Sequence, residues 1–193
     1  MIWIVEKDGI VKKKRADITV KEAGQKAYGL CKMPTLWTLP FFIIDKNFYI
    51  SVCKEDTNTV NKYLENIEKV LENADMHEKV IIRSSGEFEG MDERGRYESL
   101  IVEKEDVVQK LFQLVEQLKE YGELRETGIP FVVQTCAERK ILGHLSNERR
   151  VSKDNRDFIY EYVDCETNGV TPGKVSLRNW RKTYDTQNAV KEK

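Results

Sequence analysis

An Arg-Ser-Ser-Gly segment at residues 83–86 has the side chains that an anion site needs. The apolar residues 80–82 before it predict a strand, so the polar segment follows where that strand ends. Arginine offers bidentate, charge-assisted hydrogen bonds, and hydroxyls and loop amides add donors around an anion. The segment therefore predicts a phosphate site. The alternative is a structural arginine paired with Glu87 or Glu89.

A lysine framed by two glycines is the second segment that could bind phosphate. Thr19 and Glu22 form a capping-box pattern, which predicts a helix from about Thr19 to Met33. Gly24 and Gly29 fall inside that helix, where each costs about 1 kcal/mol relative to alanine. Close approach of another backbone is one reason to keep such glycines, and Lys26 between them would reach a phosphate there. The alternative is a solvated lysine on an ordinary helix.

The sequence has few of the residues that metal binding or nucleic-acid binding would need. The four cysteines, at 31, 53, 136 and 165, form no C-x-x-C pair, and the chain has 2 histidines, so a zinc site is not favoured. With 32 Lys+Arg against 33 Asp+Glu, the chain lacks the positive excess typical of nucleic-acid binders. We expect a cytoplasmic protein with reduced thiols, since no leader sequence or apolar run of membrane-spanning length is present.

The elements that must position these residues follow from hydrophobic periodicity. Apolar residues at helical spacing predict a helix from Thr57 and another over 105–121. Strands are predicted at 2–5, 79–83 and 97–102, and a hairpin is predicted from strands at 39–44 and 48–52 around Asp45-Lys46-Asn47. Further strands are predicted at 131–136, 141–145, 158–163 and 174–177.

These elements predict an α+β protein with two lobes. The first, mixed α/β lobe covers 1–128, a β-rich lobe covers 129–182, and 183–193 is a polar, disordered tail.

Taken together and in order, the motifs resemble the N-terminal ATP-binding domain of phosphoenolpyruvate synthase and pyruvate phosphate dikinase. That domain is a variant of the ATP-grasp fold and also occurs in rifampin phosphotransferase. Its Gly-Gly-Lys-Ala-x-x-Leu helix is similar to residues 24–30, and its Val-Arg-Ser-Ser-Ala-x-x-Glu-Asp loop is similar to residues 82–90. The remaining similar blocks are 38–44, 92–99, 131–136 and 143–147.

The resemblance implies an ATP-grasp-like fold, incomplete at its C-terminus, and a set of site residues. It implies that the nucleotide phosphates, with magnesium, are bound by residues that include the catalytic pair Lys26 and Arg83. The other implied nucleotide-binding residues are Ser84 and Ser85 in the same loop, Gly95 in a covering loop, Gln134 and Cys136 beside adenine, and Glu161 near adenine or ribose.

The chain departs from the family at several positions. Gln25 replaces a glycine, Gly90 replaces an aspartate, and the family's magnesium-binding Asp-x-Glu pair has no counterpart. The phosphohistidine and pyruvate-binding domains are also missing. We therefore expect a nucleotide-binding domain of a phosphotransferase that needs further domains or a partner chain for catalysis.

Two alternatives remain open. One is a non-catalytic nucleotide-sensing or protein-interaction module on the same scaffold. The other, less favoured, is nucleic-acid binding through the basic residues 12–15 and the basic and aromatic residues 178–184. No membrane partner is expected.

Overall fold

The computed structural model describes residues 1–87 and 99–137, and the backbone of three further strands at 141–146, 157–164 and 180–184. The chain forms two compact units, Met1–Ala137 and Glu138–Lys193. No helix in the described part of the chain is long and apolar enough to cross a membrane. The predicted α+β class is confirmed.

The first unit contains a mixed sheet of six strands. Only β1 and β3 are parallel neighbours, and the other pairs are antiparallel. In spatial order the strands are β2 (Gly9–Lys13), β1 (Ile2–Glu6), β3 (Phe41–Ile44), β6 (Phe131–Thr135), β4 (Lys79–Ser84) and β5 (Ser99–Glu103).

The position of β6 moves the boundary between the units. The sequence predicted that the β-rich lobe begins at residue 129, but β6 lies inside the first sheet between β3 and β4. Because a central strand is hydrogen-bonded on both edges, it belongs with its neighbours, and the first unit ends at Ala137.

Five α-helices of the described residues accompany this sheet. They are α1 (Val20–Lys32), α2 (Lys46–Cys53), α3 (Thr57–Asn73), α4 (Val107–Leu118) and α5 (Leu124–Thr127). The helices predicted from Thr57 and over 105–121 are confirmed as α3 and α4. The Asp56 carboxylate caps α3 by accepting from the Thr59 amide at 3.1 Å.

The predicted hairpin is wrong in its second half. Residues 48–52 lie in the helix α2, and β3 is hydrogen-bonded to β1 and β6 instead. Asp45 begins this helix as its N-cap, accepting from the Asn47 amide at 2.9 Å. A short apolar run does not distinguish a strand from a buried helix, and α2 buries Phe48 and Tyr49 against the sheet.

The helices lie in two layers on opposite faces of the sheet. Helices α2 to α5 and one face of the strands enclose the larger core, in which the Phe48 ring contacts Tyr63, Phe112 and Phe131. A smaller core lies between α1 and the other face, and its residues include Ile4, Ile43 and Val132 among the strands and Ala23, Ala27 and Cys31 on α1.

The second unit contains an antiparallel sheet of β7 (Ile141–Ser146), β8 (Asp157–Asp164) and β9 (Trp180–Tyr184). The strands predicted at 141–145 and 158–163 are confirmed. The predicted strand at 174–177 lies outside the described residues, as does 185–193 of the predicted tail. Residues 183 and 184, which were also assigned to that tail, belong to β9.

Candidate functional site

The fold brings the two predicted phosphate-binding segments together. Helix α1 is interrupted at Gly24, which has a φ of 73°. The helix then resumes against the loop after β4, where the Gln25 amide donates to the Gly86 carbonyl at 2.8 Å. The Ala27 amide donates to Ser85 Oγ at 3.1 Å. These bonds dock the second part of α1 directly on the loop that follows Arg83.

Gly24 is required by this contact. A Cβ atom built there would lie 1.7 Å from the Ser85 carbonyl oxygen, far inside any real contact distance. The positive φ independently favours glycine. The predicted close approach of another backbone is therefore confirmed at Gly24, whereas Gly29 has open space around it.

Lys26 points its ammonium group to the end of β4. Its Nζ donates to the Ser84 carbonyl at 2.8 Å, and the side chain is half-buried. Lys26 thus places a positive charge beside the backbone of the residue that follows Arg83.

Arg83 lies on the face of the sheet that α1 partly covers. It pairs with Val132 on β6 and with Ser99 on β5, and cross-strand partners share a face. Its Nε is buried and has no hydrogen-bond partner among the described residues. Within the same residues Arg83 makes no ion pair, with Glu87 or any other acid; Glu89 lies outside them. A buried guanidinium nitrogen without a partner is a group that a ligand can satisfy.

The two serines face the protein interior. The Ser85 hydroxyl accepts from Ala27, and its amide donates to the Pro130 carbonyl at 2.9 Å. Ser84 is fully buried on the opposite face from Arg83, among the larger core. The Ser84 carbonyl and the Ser85 hydroxyl and amide thus join the loop to Lys26, α1 and Pro130, whereas the Ser84 hydroxyl is buried without a hydrogen-bond partner among the described residues.

Part of the α1-side face of the sheet is not covered by any helix among the described residues. Gln134 on β6, Ile81 on β4 and Ile101 on β5 are consecutive cross-strand partners on this face. Gln134 and Ile81 are half-buried, and Ile101 is 48% exposed. Arg83 stands two residues from Ile81 on the same side. We call this surface, Gln134, Ile81, Ile101 and Arg83, the open half-face.

Cys136 extends the open half-face beyond Gln134, just past the end of β6. Its amide donates to the Lys79 carbonyl at 2.8 Å, which extends the pairing of β6 and β4 past the end of β6. Cys136 is half-buried and alternates with the inward-facing Thr135, so it has the same parity as Gln134. At the outer end, Lys79 pairs with Glu103 at 3.5 Å.

Sequence patterns alone did not identify the apolar residues of this surface. Ile81 and Ile101 were assigned to strands but not to a site, because sheet register cannot be derived from one strand. The spacing of Ile81 and Arg83 could have shown that they lie side by side, since residues two apart in a strand share a face.

Two predicted residues are not brought into this site by the described structure. Gly95 lies outside the described residues. Glu161 is on β8 of the second unit, where it pairs in register with His144 on β7 and Trp180 on β9.

The basic residues 12–15 are partly occupied by protein contacts. Lys13 forms a hydrogen-bonded ion pair with Glu22 on α1, and this bond raises the pKa of Lys13. The Lys12 ammonium lies 4.5 Å from the centre of the Trp3 ring. These contacts give two lysines of the segment structural roles, and they do not favour a nucleic-acid surface there.

Among the described residues, no three His, Cys, Asp or Glu side chains come together in a way that could hold a metal ion. Comparison of the sequence with protein-family models and with curated proteins finds no match. The resemblance to the phosphoenolpyruvate synthase family therefore depends on the motif residues of the sequence.

Proposed function

We propose that the first unit binds a nucleotide, ATP in particular, on the open half-face. The proposal makes the chain an ATP-grasp-like nucleotide-binding domain of a phosphotransferase of the phosphoenolpyruvate synthase and pyruvate phosphate dikinase type. One observation carries it: the Arg83 Nε is buried without a partner among the described residues, and Lys26 donates to the carbonyl of the next residue, Ser84.

The chemistry of this surface changes along the strands. The cationic end, at Arg83, suits phosphates, because a guanidinium group forms bidentate charge-assisted bonds with them. Arg83 and Lys79 lie four residues apart on β4, a distance of about 13 Å along the strand. This length leaves room for a ribose and a base over Ile81 and Gln134. Apolar side chains with one amide are a typical lining for a base.

The residues of the chain have separate tasks in this proposal. Arg83 and Lys26 bind and orient the phosphates, and the interior bonds of Ser85 keep both cations in place. Gln134 offers an amide to the polar edge of the base. Ile81 and Ile101 exclude water from the face of the base.

The described residues do not identify a binding site for magnesium. ATP in enzymes of this type carries the metal, whose bridging of phosphate oxygens neutralises charge. The described residues do not assemble a carboxylate set for it. We therefore assign no step to the metal, and expect further domains or a partner chain to supply the acceptor and the remaining ligands.

Thermal unfolding with and without ATP tests the proposal. At a concentration about 100 times its dissociation constant, a ligand stabilises by about 2.7 kcal/mol, which raises the midpoint of a domain of this size by about 5 to 10 °C. We expect this rise in the wild type, in buffers with and without magnesium, and its loss in Arg83→Ala and Lys26→Ala.

Arg125→Ala is the matched control, because it removes one exposed positive charge from α5 on the other side of the sheet. It should keep the full rise. A wild type that shows no rise, or an equal rise in all variants, would contradict the proposed site. Turnover of ATP by the chain, lost in Lys26→Ala, would distinguish a catalytic domain from a nucleotide-sensing module.

A further inference from the structure

Four large apolar side chains project into solvent from one short segment of the first unit. Leu36 is 92% exposed and Trp37 is 72% exposed, while Met33 and Leu39 flank them at 42% and 36%. Single exposed apolar residues are ordinary, but a contiguous group that includes tryptophan marks an interaction surface. We call residues 33–39 the apolar turn.

The backbone of the apolar turn is held in shape by hydrogen bonds. Residues Thr35–Trp37 form a 3₁₀ turn, in which the Trp37 amide donates to the Pro34 carbonyl at 2.9 Å. The Thr38 hydroxyl donates to the same carbonyl at 3.2 Å. Arg15 ties the turn to the body of the unit by donating to the Met33 carbonyl at 3.2 Å. Trp37 and Leu36 are therefore presented by an ordered scaffold, which lowers the entropy lost on binding.

The charged residues next to the apolar turn carry a positive excess, with Lys14, Arg15 and Lys32 against the exposed Asp17. Residues 33–44 contain no acid, and Lys32 precedes them. The guanidinium group of Arg15 lies against the turn, and Lys14 beside it is exposed. A partner surface for this turn should therefore offer an apolar floor and acidic walls.

The opposite layer of the same unit has such a surface. A groove of about 380 Å³ lies between α3 and the start of α4, with Leu71 and Val108 among its apolar lining residues. Four glutamates and one lysine provide its charged lining: Glu68, Glu72, Glu78, Glu105 and Lys104. We call this the acidic groove.

We propose that the apolar turn of one copy of this chain docks in the acidic groove of a second copy. Trp37 and Leu36 would cover Leu71 and Val108, while Arg15 and Lys32 would face the glutamates. The proposal depends on two complementary surfaces in one chain and is independent of the proposed nucleotide site.

The contact joins different surfaces of the two copies. Such a head-to-tail contact leaves one turn and one groove unused in a dimer, so association continues to rings or chains. Four apolar side chains make a small interface, and small interfaces are weak and transient. We therefore expect association to depend strongly on concentration.

Sedimentation velocity of the full chain over a dilution series tests the proposal. The wild type should shift to larger species as its concentration rises. Trp37→Ala should weaken association by about 30-fold or more, as loss of a tryptophan anchor does. Glu72→Lys should weaken it by about five-fold or more, because it replaces an attraction by a repulsion.

Mixing the two variants gives the sharpest readout. Trp37→Ala keeps an intact groove and Glu72→Lys keeps an intact turn, so the mixture should form a 1:1 complex that is tighter than the self-association of either variant alone. Lys32→Glu combined with Glu72→Lys in one chain should recover part of the association lost in either single variant.

Two control variants test whether the effect belongs to these surfaces. Ile101→Ala removes an exposed apolar side chain elsewhere, and Glu65→Lys reverses an exposed charge on α3 that does not line the groove. Both should associate like the wild type. A wild type that is monomeric at all concentrations would overturn the proposal. So would association that survives Trp37→Ala, or variants that fail to combine on mixing.

Discussion

The two faces of the six-stranded sheet differ in how much of them the helices cover. On one face Val80, Ile82 and Val133 are sealed under α2 to α4. On the other face α1 covers Ile43 and Val132 and stops there, and the strands continue uncovered over the open half-face. The same strands therefore contribute a complete core on one side and an accessible surface on the other.

This difference separates stability from binding within single strands. Residues alternate between faces, so a strand can bury every second residue and offer the rest to a ligand. In β4, Ile82 belongs to the larger core, while its neighbours Ile81 and Arg83 belong to the open half-face. The larger core therefore lies directly behind the part of β4 that carries Arg83.

The largest expected difference between the faces comes from neighbouring isoleucines. Ile82→Ala removes a fully buried side chain from the larger core and should lower the free energy of unfolding by about 3 to 4 kcal/mol. Ile81→Ala should lower it by less than about 1 kcal/mol, because its side chain is half-buried on the open half-face. Urea unfolding of both variants measures the two losses.

The same pair also tests the binding surface. Ile81→Ala should reduce the shift of the thermal midpoint by ATP while the ligand-free midpoint changes little. Equal losses of stability in the two variants would show that both faces are covered alike, against the contrast drawn between them.

Gly24 lies where α1 contacts the loop after β4. Its replacement should lower the free energy of unfolding nearly as much as Ile82→Ala. Gly24→Ala places a Cβ in the Ser85 backbone and strains a positive φ, so we expect a loss of about 3 kcal/mol. Gly29→Ala is the control in the same helix, with open space around it, and should stabilise by up to about 1 kcal/mol. Chemical denaturation of both variants compares the two changes, and a mild Gly24→Ala would mean that α1 can separate from the loop at little cost.

Sequence patterns predicted the elements that carry the site better than their arrangement. Helical periodicity identified α3 and α4, and β-branched runs identified β4 and β6, since each pattern reflects local burial. Lys26 and Arg83 were singled out from their types and flanking glycines. The resemblance implied that both residues contact nucleotide phosphates, whereas the hydrogen bonds between their two segments come from the structure.

Other features depend on distant parts of the chain and could not be derived locally. The order of the strands places β6 between β3 and β4, which no local pattern specifies. Helix α2 was taken for a strand because both kinds of element produce a short apolar run. The inward orientation of Ser84 depends on the register of β4, so its burial on the face opposite Arg83 could not be derived from the sequence.

Buried hydroxyls on the covered face allow a smaller test. Tyr63 is fully buried and donates to the Asp45 carboxylate, and burial and this bond together raise its pKa. Tyr63→Phe should lower the free energy of unfolding by about 1.5 kcal/mol, because a hydrogen bond to a charged group is lost. Thermal unfolding monitored by circular dichroism measures the change.

Tyr49→Phe is the matched control for that bond. The Tyr49 hydroxyl is buried beside the Cys53 thiol, a weak hydrogen-bonding group, and has no stronger partner among the described residues. Its removal should be neutral or stabilising by up to about 1 kcal/mol. A larger loss in Tyr49→Phe than in Tyr63→Phe would show that the hydroxyl contacts of the core are misassigned.

The smallest expected effect concerns Glu6, at the end of β1 on the α1 side. Burial raises the pKa of Glu6 and the neighbouring Asp45 and Glu22 raise it further, although Lys13 lowers it. Between the ordinary and the raised pKa the folded state binds more protons than the unfolded state, so stability falls as the pH rises through this window. Glu6→Gln removes that cost, and because the group is half-exposed we expect a gain of only about 0.5 kcal/mol at about pH 7.

The gain should disappear at about pH 3.5, where Glu6 is protonated in both states. Denaturation of the wild type and Glu6→Gln at the two pH values measures the difference. Equal stability at neutral pH would mean that Lys13 fully compensates the carboxylate. A gain would show that the side of the sheet covered by α1 penalises a partly buried negative charge at Glu6.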